Sequence, residues 1–425
     1  MILRTNGKIK ANGHTIGMFL AYVYILTLYI AQDVLMSSTI NSLCLYAFLA
    51  YSAILFVLEF KSNGKMSVFS LWYLIFMVVS FICMLYAPNI QNVFGSFYAM
   101  IVSLFVFLFL QMYVKDESGF DGICWCYAIS AFVLVLLLLI TGNLSGDADD
   151  RLGQSLTGNA NIFAMMMMVA VMYTIWLLVF KAKRLITRTV LIVMIAVDFY
   201  ALMLSAGRKF FVVPFIFLYI LLISKRNKRG KKRIFLYTLG FAILILIVWV
   251  LIVNIEPLYN AIGVRMEGFF DWLWGGTGDA SSEIRDRMRI LAVERWLESP
   301  LWGYGFDSFK FYAKDAVGKF YYSHCNYTEL LYCGGVVYFL LYYWMHFITI
   351  RSAVKNKAAP QSHRAFAIAV IISLAIFDFG AVTYNSTPML IMLMMAFRAA
   401  TFNTQKVNGE SSYGKNKNAC APLDK

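Results

Sequence analysis

A run of about 20 apolar residues is long enough to cross the roughly 30 Å of hydrocarbon in a bilayer, and this chain carries such runs from one end to the other. They fall near 15–31, 38–59, 66–87, 93–113, 122–141, 158–180, 189–205, 210–223, 234–254, 327–350, 365–383 and 388–403. No other feature restricts the fold as severely. A segment in hydrocarbon satisfies its own backbone hydrogen bonds only as a helix. The expected class is therefore all-α, a polytopic integral membrane protein of about twelve transmembrane helices. The run at 210–223 is short and holds Pro214, which blurs its ends. Composition points the same way: 61% of the 425 residues are hydrophobic and 14% charged, against about 45–50% and 25% in soluble domains. A globular core cannot absorb that excess, because a globule needs a polar coat. Lipid can.

The formal net charge of +14 would point to nucleic acid on a soluble protein. Here the Lys and Arg residues stand in short blocks between apolar runs, so membrane topology explains them and no nucleic-acid partner is expected. Placing Arg4, Lys8 and Lys10 in the cytoplasm and alternating puts Lys61, Lys115, the run from Lys181 to Arg188 and the block from Lys225 to Arg233 on the same side. Arg351, Lys355, Lys357 and Arg364 join them. The pattern predicts both termini inside. The first apolar run lacks an A-x-A cleavage pattern and reads as a retained helix. Seven scattered cysteines show neither a disulfide framework nor zinc-ligand spacing.

The organisation expected is a membrane domain at 1–254 with about nine spans, a large extracytoplasmic loop at 255–325, three spans within 326–404, and a disordered cytoplasmic tail at 405–425. Two outer connections carry charge. The shorter holds Asp147, Asp149, Asp150 and Arg151. In the longer, Glu256–Trp274 opens with Pro257 at a helix start and offers an apolar, tryptophan-bearing face suited to the membrane surface. Gly275, Gly276 and Gly278 break that helix. A second begins with Ser281 or Ser282 as cap, and Ile284, Met288, Leu291 and Ala292 form its apolar stripe. Pairing at helical spacing is expected for Glu283–Arg287, Asp286–Arg289 and Arg295–Glu298, whereas Arg285 has no acid three or four positions away. After Pro300, Trp302-Gly303-Tyr304-Gly305 reads as a tight turn. Asn326 and Glu329 read as a capping pair for the next span, with His324 just ahead of its amino terminus.

Three stretches resemble the O-antigen ligase and O-antigen polymerase superfamily. Glu298-Ser299-Pro300-Leu301-Trp302-Gly303-Tyr304-Gly305 through Phe309 is similar to its P-x-x-G-x-G segment. Ser323-His324-Cys325-Asn326-Tyr327 through Gly334-Gly335 is similar to its His-Asn…Gly motif. Ser205-Ala206-Gly207-Arg208-Lys209 looks like its S-x-S/G-R segment. The resemblance implies a bacterial inner-membrane enzyme that takes a glycan from polyprenyl (undecaprenyl) diphosphate and passes it to a sugar hydroxyl of a second lipid-linked repeat. It also implies no cofactor and no metal, with membrane lipid, a flippase and a chain-length regulator as partners. Cys325 departs from the residue that ligases commonly carry there and tilts the reading from ligase to polymerase.

Cleaving a glycosyl–diphosphate bond develops negative charge on the bridging oxygen, which guanidinium neutralises through planar, permanently charged forks. Arg208 and Arg285 are the catalytic cations of choice, and His324 the base that takes the hydroxyl proton. Arg289, Arg151, Lys209, Asn326, Tyr304 and Asp378 are the expected substrate-binding residues, with Asp378 a partner for Arg208. Two readings compete. A flippase or exporter would use Asp198 and Asp378 as coupling carboxylates. A metal-dependent transferase would hold its cation on Asp147, Asp149 and Asp150.

Overall fold

A computed structural model describes residues 3–5, 8–10, 13–31, 37–63, 66–144, 151–225, 231–274 and 280–402. Apart from one antiparallel hairpin, β1 (Leu3–Thr5) with β2 (Lys8–Lys10), its regular elements are helical. Helices α1 (Gly13–Ile30), α2 (Ser38–Asn63), α3 (Val68–Leu85), α4 (Ile90–Tyr113) and α5 (Glu117–Ile140) come first. The short α6 (Gln154–Thr157) precedes α7 (Ala160–Phe180), α8 (Leu185–Leu204), α9 (Arg208–Ser224) and α10 (Lys231–Asn254). The large loop holds α11 (Glu256–Leu258), a π turn at Tyr259–Gly263, α12 (Val264–Leu273), α13 (Ala280–Glu298) and α14 (Phe309–Val317). Last come α15 (Asn326–Lys355), α16 (Gln361–Phe377) and α17 (Thr387–Thr401).

Twelve of these helices coincide with the twelve apolar runs. Among the described residues, nine are long and apolar enough to cross a membrane. The other three, α9, α16 and α17, have 17, 17 and 15 residues. Their burial explains why they can be short. α17 is buried without interruption from Met389 to Phe397, and α16 packs between α9 and α17. A helix screened by protein is not held to the thickness of the hydrocarbon. α7 is the other central helix, buried from Met166 to Leu177 and packed on α5, α8 and α9. Both are rich in methionine, whose unbranched side chain fills irregular gaps. α10 is the opposite case, with only 6% of its apolar window covered by protein. Pro214 lies inside α9 without ending it.

Polar side chains set several helix starts. Ser67, Asp116 and Asn159 each accept a backbone N–H from the first turn they precede, at 2.8–3.0 Å, which satisfies donors that the helix itself leaves open. The loop's turn is held differently. Gly334 and Gly335 take non-helical conformations inside α15, Gly335 at φ 66°. The kink frees the carbonyls of Tyr332 and Cys333, which accept the N–H groups of Tyr304 and Gly305 at 2.8 Å each. Val336 N–H donates to the Pro300 carbonyl at 2.9 Å. A methyl group on Gly335 would lie 2.3 Å from the Leu301 carbonyl, and one on Gly303 2.4 Å from the Tyr332 oxygen. The glycines of two separate motifs thus let one backbone seat on the other.

Asp147, Asp149, Asp150, Gly275, Gly276, Gly278 and the tail at 405–425 lie outside the described residues. Two expectations shift by a few positions. α13 begins at Ala280, so Ser282 stands inside its first turn rather than capping it, and Ile284 is exposed while Met288 and Ala292 are buried. Cys325, not Asn326, is the N-cap of α15.

Candidate active site

At the end of the bundle that carries the large loop, α9, α12, α13 and α16 surround a cavity of about 330 Å³. Its wall contains Arg151, Arg208, Lys209, Arg265, Arg285 and Arg289. Among the described residues Asp286 is the one carboxylate there, and it is paired to Arg289 at 3.0 Å. Like charges around one small cavity repel one another. An anion relieves that.

Four of these cations have partners that fix them. Arg208 opens α9 straight after the Ser205-Ala206-Gly207 turn and donates to the Arg265 carbonyl at 2.9 Å and to Ser282 Oγ at 3.0 Å. It therefore ties α9 to both loop helices. Arg151 donates to the Ser205 carbonyl at 2.8 Å and to Asn161 Oδ1 at 3.3 Å. Burial, and then the charges of Arg265 and Arg285, draw Arg151 down to about 10. It stays charged at neutral pH. The Lys209 ammonium donates to the Gly380 carbonyl and lies over the rings of Phe210 and Phe377, 5.1 and 5.5 Å from their centroids. Arg289 pairs within α13 yet leaves its buried Nε without a hydrogen-bond partner among the described residues.

His324 stands outside this wall but inside its electric field. Burial first, then Arg285, Lys209 and Arg289, lower its pKa from the usual 6.5 to about 3. Its backbone is left-handed, at φ 57°, a conformation that is uncommon outside glycine and clusters at functional sites. The neighbours hold it there. Glu329 Oε2 accepts the Ser323 N–H at 2.8 Å, and Ser323 Oγ bonds the Cys325 carbonyl at 2.9 Å. The Asn326 N–H donates to the Asp378 carbonyl at 2.8 Å. Glu329 thus reaches back past Asn326 and secures the histidine turn. Among the described residues, Ala206 and Asp307 are the other non-glycine residues at positive φ, at 58° and 52°. All three lie in the stretches that carry the family likeness, one in each.

Three expected substrate-binding residues do not line the cavity. Asp378 does not meet Arg208. Its oxygens accept from Thr383 Oγ1 at 2.6 Å, Tyr343 Oη at 2.7 Å and Asn326 Nδ2 at 3.4 Å. Asn326 Oδ1 accepts the N–H groups of Thr383 and Tyr384 at 2.9 and 3.0 Å. Both residues are buried, so their polar atoms knot the turn after α16 to the start of α15. Tyr304 is outside the cavity; its ring lies 4.5 Å under the Arg295 guanidinium and its hydroxyl donates to Glu298 at 3.2 Å. The pairs Asp286–Arg289 and Arg295–Glu298 form as their spacing predicts. Asp198 is buried within α8 with neither carboxylate oxygen bonded among the described residues, far in sequence from any cavity residue except those at the start of α9.

Sequence reasoning missed Arg265, Asn161 and Ser282. The stretch holding Arg265 reads from the sequence as a helix resting on the membrane surface. Leu258 and Ile262 are indeed buried and Val264, Phe270 and Trp274 exposed, but Arg265 turns the other way into the cavity. An arginine on a stretch expected at the outer face was the available signal.

Residues 193–343 match the family model described as O-antigen ligase. That segment contains every cavity cation except Arg151, and His324 as well. No curated protein matches the chain.

Proposed function

We propose that this multi-pass membrane protein, whose residues 193–343 match the family model described as O-antigen ligase, polymerises glycan repeats by transfer from polyprenyl diphosphate to a sugar hydroxyl of another lipid-linked repeat. The observation that carries this reading is the cationic cavity. A diphosphate presents several anionic oxygens in a small volume, and guanidinium forks match them. The acceptor O–H gives its proton to His324, its oxygen bonds the anomeric carbon, and the bond from that carbon to the bridging oxygen breaks. The electron pair leaves with the diphosphate, where Arg208 and Arg285 meet it. The six cations of the wall supply positive charge of the kind a divalent metal would bring.

The reaction is assigned to the extracytoplasmic face of the bacterial inner membrane, with both termini cytoplasmic. Basic residues support it: Lys115, Lys181, Lys225 and Arg398 all gather at the end of the bundle opposite the cavity. Transfer to a different acceptor, as a ligase, is the second reading, favoured by the description of the matching family.

The donor's field has a consequence for His324. When the phosphates neutralise Arg285, Lys209 and Arg289, the charge part of its depression is lifted and the imidazole becomes a better base. The donor thereby activates the base that deprotonates its attacker.

A binding test follows. Inorganic pyrophosphate should raise the Tm of the detergent-purified protein, by an amount that corresponds to about 2.7 kcal/mol at a hundredfold excess over Kd. Added salt should erode the effect. An unchanged Tm at every pyrophosphate concentration would contradict the assignment of the cavity.

A further inference from the structure

His324 is linked to two different surfaces. On one side are the cations of the cavity, whose charges reach it. On the other is an aromatic patch made by α14 and the segment that follows. The Tyr321 ring is 6.3 Å from the imidazole. Phe320 stands edge-on to Phe311 at 5.9 Å and is 56% exposed. Tyr322 is also exposed. Lysines edge these rings: the Lys314 ammonium is 4.5 Å from the centroid of Phe320, and Lys310 is 5.8 Å from that of Tyr322.

We infer that this patch, resting on the transferase reading above, is the platform for the acceptor sugar, and that the ring taken there is a pyranose rather than a lipid or a second phosphate. Three features carry the choice. The patch continues the site, meeting it at the proposed base. Its rings offer flat, rigid apolar faces with polar groups at the margin, which suits a sugar's C–H face and its ring of hydroxyls. A phosphate would need convergent guanidinium groups, and here the cations are two lysines already stacked over rings. The exposed aromatic surface has an occupant of matching chemistry. Labour is thereby divided: the cavity holds the donor's diphosphate, the patch holds the acceptor's hydroxyl, and the histidine adjoins the patch at Tyr321 within the field of the cavity's cations.

The experiment uses the full chain in proteoliposomes, with lipid-linked repeat as donor and the same oligosaccharide, freed of its lipid, as acceptor. Phe320→Ala and Tyr321→Ala should each raise the acceptor KM about tenfold, the loss of roughly 1.4 kcal/mol of stacking. The affinity for pyrophosphate should be unchanged. Phe320→Trp should restore the KM, which a folding defect would not allow. Trp302→Ala is the control for membrane anchoring, because its indole is 66% exposed and lies on the turn before α14; its acceptor KM should match the parent's. If the parent elongates acceptor and Phe320→Ala and Tyr321→Ala keep its KM, the platform is wrong and the transferase reading stands. An equal rise in Trp302→Ala would likewise overturn the platform in favour of membrane contact. If the parent transfers no sugar to any acceptor, the transferase reading falls and the platform with it.

Discussion

Arg208→Ala is expected to slow glycan transfer by about 10²–10³-fold, the size of effect seen when one donor is removed from a charge-stabilising site. Two properties make this position more sensitive than its neighbours. The side chain lines the cavity, and it also bonds the Arg265 carbonyl and Ser282 Oγ. Its loss therefore removes a charge and loosens the two loop helices that bring Arg265, Arg285 and Arg289 to the site. Arg208→Lys should recover little, because one ammonium cannot span both acceptors and still face a phosphate. The assay is glycan chain length in cells, read beside protein abundance. Single repeats should accumulate at normal protein level. Long polymer from Arg208→Ala would remove this residue from the mechanism.

His324→Ala should cost about 10²–10⁴-fold, the usual contribution of a general base. The pH dependence is more diagnostic than the loss. In the free protein His324 titrates at about 3, so kcat/KM should stay flat from neutral pH down past the ordinary histidine range. With donor bound, part of the opposing charge is gone, and the acidic limb of kcat should lie at higher pH than that of kcat/KM. The same shift has a stability sign. A histidine whose folded pKa is lowered leaves the unfolded state holding more protons between about 3 and 6.5, so its contribution is complete above that window and is lost as pH falls through it. Pyrophosphate should move the lower edge of the window upward. Coincident limbs for kcat and kcat/KM would argue against a donor-activated base.

The helices were legible because partition into lipid is decided locally, residue by residue. Twelve apolar runs therefore predict twelve helices, including the short, protein-enclosed α17. The three motif stretches were legible as well, since Gly, Pro and His stand in a recognisable order. Lateral neighbours were not. Nothing in the spacing distinguishes an Asp378 that meets Arg208 from one that bonds Thr383, Tyr343 and Asn326. Arg265 was hidden by its helix: an amphipathic stretch reads as one apolar face and one solvated face, and a cavity beneath the solvated face leaves no mark on periodicity. The left-handed backbone of Ala206 and His324 was equally invisible. Tertiary bonds impose it, among them the one from the Ser323 N–H to Glu329.

The central claim is that each new glycosidic bond is made at the expense of a glycosyl–diphosphate bond held by the cationic cavity. The direct measurement is product stoichiometry in proteoliposomes containing only this chain and its lipid-linked repeat. One polyprenyl diphosphate should be released per linkage formed, with a ladder of lengthening glycan. Repeat units that cross the bilayer unchanged in length, with no polyprenyl diphosphate set free, would contradict it.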